Sequence, residues 1–357
     1  MALRSIAVTL TAVGLTMFAP HAAADPTGPH AFVPVVGEGT VLVVDTAADR
    51  VVQRVDGAGP YASAVTASRD GAKVYVQSFN PPLLGRNDIA VIDTASHAVT
   101  TRVPITGADG LAQPISDPVR DRVYILTARP SIDVIDTTTD TLLRSMPLPS
   151  VPFAAAIAPD GSRLYTVFAD STAAAFDPES GFQLGERIQI DGSLPYAAAV
   201  SPDGCTLYSV NVLGDNVSLI DTATWRRTGA ISFPAGSAPV AGAISPDGEN
   251  LLVATLGANA VQVIDIASDK VVRTVAVDSP VSIGFTGDDA KMYVGSLGPQ
   301  PRPLTPTVAN GFEAVLPAFL RAEPRPGTLI PFSAADFSPA GAPIATGTGT
   351  GLGAYTS

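Results

Sequence analysis

The residues of this chain best suited to chemistry are carboxylates, and they recur. Asp45, Asp93, Asp136, Asp177, Asp221 and Asp265 each end a short run such as VLVVDT, IAVIDT or VSLIDT, at spacings of 48, 43, 41, 44 and 44 residues. Asp160, Asp203 and Asp247 recur in PDG turns between them. A ring of carboxylates would suit a cation. An Asp at a strand end also accepts hydrogen bonds from the backbone two residues on, however, and this turn role explains the same spacing without a ligand. A second set is less easily explained. Asp56, Asp109, Asp191 and Asp278 lie in connections of varied sequence, with the aromatics Tyr61, Phe153, Tyr196 and Phe332 at the starts of small-residue runs. Together they would line an acidic, aromatic mouth for a cation or a sugar. Histidine is nearly absent, only His30 and His97 lying beyond residue 24, and Cys205 is the one cysteine. A His-dependent triad, a Cys-based metal cluster and a disulfide framework therefore have nothing to use. No catalytic residue is assigned, no cofactor is expected, and a divalent cation enters only in the alternative reading below.

The elements that must position these groups are short strands. Of the 33 acidic residues 27 are Asp and 6 are Glu, beside 32 Gly and 32 Pro. This bias favours tight turns over helices. PFAAAIAPDG from Pro152, PYAAAVSPDG from Pro195, PVAGAISPDG from Pro239 and PVSIGFTGDD from Pro280 are versions of one string, each followed by a strand such as RLYTVF or KMYVGS. Weaker versions start at Pro60, Leu111 and Pro331. Seven units of 40 to 50 residues with four strands each define an all-β chain, a seven-bladed β-propeller. The small-residue run is the innermost strand, a, where seven strands converge. The Tyr-bearing run is strand b, where Tyr75, Tyr124, Tyr165, Tyr208 and Tyr293 give way to Leu252, so bulk between blades is what that position needs. Residues 31–59 supply strands b, c and d without strand a, and the run at Pro331 is the expected strand a that closes this last blade from the other terminus.

Residues 1–24 combine Arg4, an apolar stretch from Ile6 to Phe18 and small residues at Ala22 and Ala24. They read as a cleaved signal peptide, giving a secreted, periplasmic or envelope protein with no transmembrane segment. The expected organisation is this leader, a propeller over 25–342 and a Gly/Thr-rich tail over 343–357. An insertion over 298–328 carries Phe312, Leu316, Phe319 and Leu320 at helical spacing, a candidate partner-docking face. A formal charge of -12 argues against nucleic acid as partner.

SPDG, the Tyr-Val strand and VIDTAT together resemble the YVTN family of β-propeller repeats, over roughly residues 31–342. The resemblance implies an exported bacterial or archaeal propeller. It implies no single role, because proteins of many roles share such repeats. The function expected is that of a monomeric, non-catalytic module of the cell envelope or extracellular space, binding an envelope component, a protein or a carbohydrate. The alternative is a lactonase-like, metal-assisted hydrolase using the acidic mouth. Its fold would be the same, but this chain is poor in the Glu and His such a site draws on.

Overall fold

Runs such as Val123-Tyr124-Ile125-Leu126 put large apolar side chains on both faces of a strand, so a sheet built from them has to be covered on both sides. The computed structural model describes residues 29–59, 61–78, 88–106, 113–299, 326–348 and 354–356. These residues form seven four-stranded antiparallel sheets, with no helix among them. Blade one contains β1–β3 (30–55) and β28 (354–356). Blades two to seven are β4–β7 (62–104), β8–β11 (115–147), β12–β15 (152–189), β16–β19 (195–232), β20–β23 (239–276) and β24–β27 (280–348). Each innermost strand touches the innermost strand of the blades on either side, from blade one round to blade seven and back to blade one. The ring is closed.

Seven apolar clusters fill the seven joints. Alternation along single strands feeds two clusters at once: Val123 and Ile125 pack toward blade two, while Tyr124 and Leu126 pack toward blade four. The strand b tyrosines are buried in these joints, as bulk requires, and their hydroxyls are used too. Tyr75 donates to Asp140 at 2.6 Å and Tyr124 to Asp117 at 2.8 Å, while Tyr293 donates to Asp49.

The expected turn role of the recurring aspartates is what the structure shows. Asp45 Oδ1 accepts the amides of Ala47 and Ala48 at 3.0 and 2.9 Å, and Asp136 Oδ1 those of Thr138 and Thr139 at 2.9 and 3.0 Å. Hydrogen bonds of this kind, the Thr138 hydroxyl first, hold the Asp136 carboxyl below the ordinary carboxylate range. Four residues beyond each such strand end stands a residue with positive φ: Asp49, His97, Asp140, Gly181, Trp225, Asp269 and Phe337, with φ between 50° and 79°. Only one is glycine. The other six occupy a region that L-residues avoid, and contacts with the preceding blade hold them there. Lys73 Nζ of blade two reaches Asp140 at 2.8 Å, Lys291 Nζ of blade seven reaches Asp49 at 2.9 Å, and Tyr165 of blade four stacks on Trp225 with centroids 5.6 Å apart. Trp225 Nε1 also donates to the Glu186 carbonyl at 2.8 Å, so this tryptophan is a joint residue.

Two expectations are corrected. The blade shared between the termini exists, but its strand a is β28 (Ala354–Thr356), which pairs with β1 (His30–Val35) as His30↔Thr356 and Phe32↔Ala354. The string at Pro331 belongs to β26 (Pro326–Ser333), strand c of blade seven. Its SAAD segment has the composition of a small-residue strand, but Ser333 ends the strand and takes the place of the recurring turn Asp. Asp336 supplies the carboxylate instead, accepting the Ser338 amide at 3.2 Å. The span 343–357 is accordingly more than a tail. It carries β27 (Ile344–Thr348), the outer strand of blade seven, as well as β28.

Two predictions test these joints. Deleting residues 349–357 removes the closing strand and exposes two sheet edges, so the protein should melt several degrees lower and associate in light scattering; an unchanged monomer with unchanged melting would show that β28 closes nothing. At the joint of blades five and six, Asp269 faces Tyr208 with Thr206 where Lys73 and Lys291 stand elsewhere. Burial, then Asp265, holds the Asp269 carboxyl above its ordinary value. A raised carboxyl costs stability at neutral pH and ceases to cost it once protonated. Thr206→Lys should therefore stabilise by ~0.5 kcal/mol at neutral pH, a surface-pair magnitude, and the gain should vanish as pH falls through the carboxylate range. Equal melting curves at both pH values would refute the missing-cation reading.

Candidate functional site

In an a–b–c–d blade the a–b and c–d turns emerge at one end of the ring and the b–c and d–a connections at the other. The first end carries the short repeated turns just described. Its recurring strand-end carboxylates hold backbone amides, and Asp49 and Asp140 hold lysines and tyrosines of the preceding blade. Cys205 lies there as well, exposed, its thiol pushed up chiefly by the Asp203 charge and thus a poor nucleophile. The second end carries connections of unequal length. The insertion is one of them, since β25 (Lys291–Ser296) ends before it and β26 begins at Pro326.

The structure distributes the predicted mouth residues unevenly. Asp56 and Asp278 are exposed in the connections that follow blades one and six, and Tyr61 is 40% exposed beside Asp56 in the chain. Phe153 is half-buried at the start of β12 (Pro152–Ile157). Asp191 is ion-paired with Arg227 of β19 (Arg226–Ser232). Its carbonyl accepts Asn211 Nδ2 at 2.6 Å and Ser218 Oγ at 2.8 Å. This loop is locked down: a Cβ added at Gly214 would sit 2.7 Å from the Gly192 Cα, so two backbones touch there. Phe332 is not at the mouth. It is 3% exposed within β26, paired with Met292, because the string from Pro331 forms strand c and not an innermost strand. Asp109, Phe312, Leu316, Phe319 and Leu320 lie outside the described residues.

Five of the innermost strands carry an irregularity at the mouth end, which sequence reasoning missed. The register skips one residue at Ser63, Phe153, Tyr196, Val240 and Val281. A bulge of this kind re-aims a side chain and disrupts pairing locally. Phe153 and Tyr196 are thus equivalent, but Tyr61 stands two residues ahead of their position. The sequence held the signal: ten residues separate Pro60 from Asp70, whereas eight separate Pro152 from Asp160 and Pro195 from Asp203. Tyr196 is 4% exposed, and its hydroxyl is buried without a hydrogen-bond partner among the described residues. Burial raises it well above the usual phenol range, so it stays protonated and has a proton to donate in a hydrogen bond. Other connections are capped from within. Asp215 accepts the amides of Gly236 and Ala238, both at 2.8 Å, and Asn259 accepts that of Ser279 at 2.9 Å.

A resident cation needs donors that converge. Among the described residues no three His, Cys, Asp or Glu side chains do so. Asp56 and Asp278 stand in different connections, and Asp191 is engaged by Arg227.

The fold and the closure define a seven-bladed β-propeller. No family model matches the chain, and no curated protein matches it. Similar solved structures are many, 1856 chains, as a widely reused scaffold would give. One is hydrazine synthase of Kuenenia stuttgartiensis, with a TM-score of 0.66 at 18% identity, over 83% of this chain and 96% of that one. Another is dihydro-heme d1 dehydrogenase NirN in complex with DHE, with a TM-score of 0.60 at 12% identity, over 95% of this chain and 77% of that one. At these identities the likeness is one of fold.

Tyr196→Phe removes a hydroxyl that is buried unpaired. It should leave stability unchanged or raise it by about 1 kcal/mol, since an unsatisfied buried donor costs free energy. Calorimetry showing a clear loss would mean that the hydroxyl has a partner within the protein.

Proposed function

We propose that this chain is an exported, non-catalytic binding or scaffolding module of the cell envelope or extracellular space, working through the face formed by its b–c and d–a connections. The observation that carries this reading is the inequality of the two ends. The recurring strand-end carboxylates of one end are spent on their own backbone, while exposed Asp56, Asp278 and Tyr61 sit on unequal connections at the other. Binding residues concentrate on such loops when a rigid scaffold holds them. Phe312, Leu316, Phe319 and Leu320 of the insertion are the proposed docking residues. Export rests on the leader-like residues 1–24, and among the described residues no helix is long and apolar enough to cross a membrane. Membership of the YVTN-type repeats is part of the same proposal, supported by the PDG and IDT strings standing at equivalent places in successive blades.

The test uses defined probes: an oligosaccharide array and a fluorescent Lys-rich peptide, read by fluorescence anisotropy. Saturable binding that drops about tenfold in Asp56→Asn/Asp278→Asn or in Tyr61→Ala, the loss of one charge-assisted or aromatic contact, supports the reading. Binding indifferent to all three changes would place the working surface elsewhere. Turnover of a lactone or ester panel that requires added calcium or manganese, and is lost in the double Asn variant, would replace the binding role with the hydrolase alternative.

A further inference from the structure

The seven joints are built on one plan, and one of them keeps the acceptors of that plan without its donor. The first residue of strand b faces the strand-end turn of the next blade, and in several joints that residue is a fixed cation. Lys73 Nζ donates to the Thr137 carbonyl and the Asp140 carboxylate, both at 2.8 Å. Lys291 Nζ donates to the Thr46 carbonyl at 2.7 Å and the Asp49 carboxylate at 2.9 Å. Arg163 donates to the Thr222 carbonyl at 2.8 Å, and Arg122 pairs with Glu179 at 2.8 Å. At the joint of blades five and six, β17 (Thr206–Asn211) begins with Thr206 instead. The acceptors opposite it are retained. Asp269 stands four residues beyond Asp265, as Asp49 and Asp140 stand four beyond Asp45 and Asp136, and all three have positive φ. Ile266 takes the place of Thr46 and Thr137. Its amide donates to the carbonyl of Glu249, the residue before its own blade's strand b, at 2.9 Å, as theirs donate to Pro29 and Asp121 at 3.1 and 3.0 Å.

A threonine is too short to cover these acceptors. Under their lysines the Asp140 and Asp49 side chains are 17% and 19% exposed, whereas Asp269 is an exposed residue. No hydrogen bond or ion pair reaches its carboxylate among the described residues, and after burial the charge acting on it is a second carboxylate, Asp265. Lys270, next in the chain, begins β23 (Lys270–Ala276) and is paired in register with Asp265. Tyr208 stands two residues after Thr206, as Tyr75 and Tyr293 stand after their lysines, and is buried in the joint, where Asp269 is the first charge to act on its hydroxyl.

We propose that this joint is an open socket for a primary ammonium group on a linear alkyl stem. The sister joints supply the pose: the ammonium donates to the Ile266 carbonyl and the Asp269 carboxylate, and the stem follows the line that the Lys73 and Lys291 side chains take elsewhere. A metal ion would need several converging ligands, but an ammonium is held at the sister joints by one carbonyl and one carboxylate. Such hydrogen bonds are charge-assisted, and the compact point charge of an ammonium suits them. Two sources carry the group, the lysine of a partner protein and a free amine. The socket opens at the end of the ring that carries the a–b and c–d turns, so it is separate from the proposed binding face and does not rest on it.

The experiment titrates the protein with n-butylammonium and follows its amide resonances by NMR, with tetramethylammonium at equal ionic strength as the cation that cannot donate a hydrogen bond. Butylammonium should give saturable shifts at the amides of Thr206, Ile266 and Asp269, and tetramethylammonium should give none there. Asp269→Asn keeps a residue that tolerates left-handed backbone and should weaken the binding about tenfold, the loss of a charge-assisted contact. Thr206→Lys puts the sister joints' own ammonium into the socket and should abolish it. A peptide with a single lysine, acetyl-Ala-Lys-Ala-amide, separates the two sources: saturation below the concentration that butylammonium needs supports the lysine of a partner, and the reverse order supports a free amine in the same socket. Equal shifts with tetramethylammonium, or a butylammonium titration that Asp269→Asn leaves unmoved, overturns the proposal. If Thr206→Lys fails to fold, the Asp269→Asn comparison decides alone.

Discussion

A sheet that is apolar on both faces can stop only by meeting itself. That constraint governs this molecule. Each blade feeds one apolar cluster on each side, and with seven joints and seven clusters the inner strands leave no face for water, which meets the outer strands instead. The hydrophobic gain per joint is set by buried area, so a ring missing one joint forfeits that gain and also exposes two sheets. Three residues at 354–356 thereby matter out of proportion to their number. They contribute few hydrogen bonds, but they complete the only blade made from both ends of the described chain.

Within that ring, geometry is kept more strictly than chemistry. The positive-φ turn residue is Asp, His, Asp, Gly, Trp, Asp and Phe in successive blades. An ion pair, an aromatic stack, a buried phenol and a pair of imidazoles all fit the same place. In six blades the place holds a side chain that fills the gap above the preceding strand b on left-handed backbone, and in blade four Gly181 stands there while Glu179 meets Arg122 of that strand instead. The electrostatic character of each joint is thus free to vary, and the joints need not respond alike to pH or salt.

The amount of this that the sequence discloses follows from how local each determinant is. Turn aspartates, small inner strands and strand b bulk are set within a single unit of 40 to 50 residues and stand out by repetition. The closing strand is set by a pairing between residues over 300 apart, and nothing in AYT announces it. The SAAD of β26 misled because small residues serve equally in an inner strand and in a tight turn; only the pairing of Met292 with Phe332 tells them apart. At the mouth the aromatics at Phe153 and Tyr196 were legible, whereas the two-residue offset of Tyr61 was concealed by the shared Pro-Tyr-Ala wording.

The two ends of the ring differ because a turn can either satisfy itself or satisfy a ligand. An Asp that accepts two backbone amides and a Thr hydroxyl, as Asp136 does, has little left to offer, and its lowered pKa records that engagement. Asp191 is engaged likewise by Arg227, and Asp215 by two amides. Each carboxylate so used makes the scaffold stiffer and narrows the choice of groups able to meet a partner. At the end of the b–c and d–a connections, Asp56 and Asp278 are left exposed, while the Tyr196 hydroxyl is buried without a hydrogen-bond partner among the described residues.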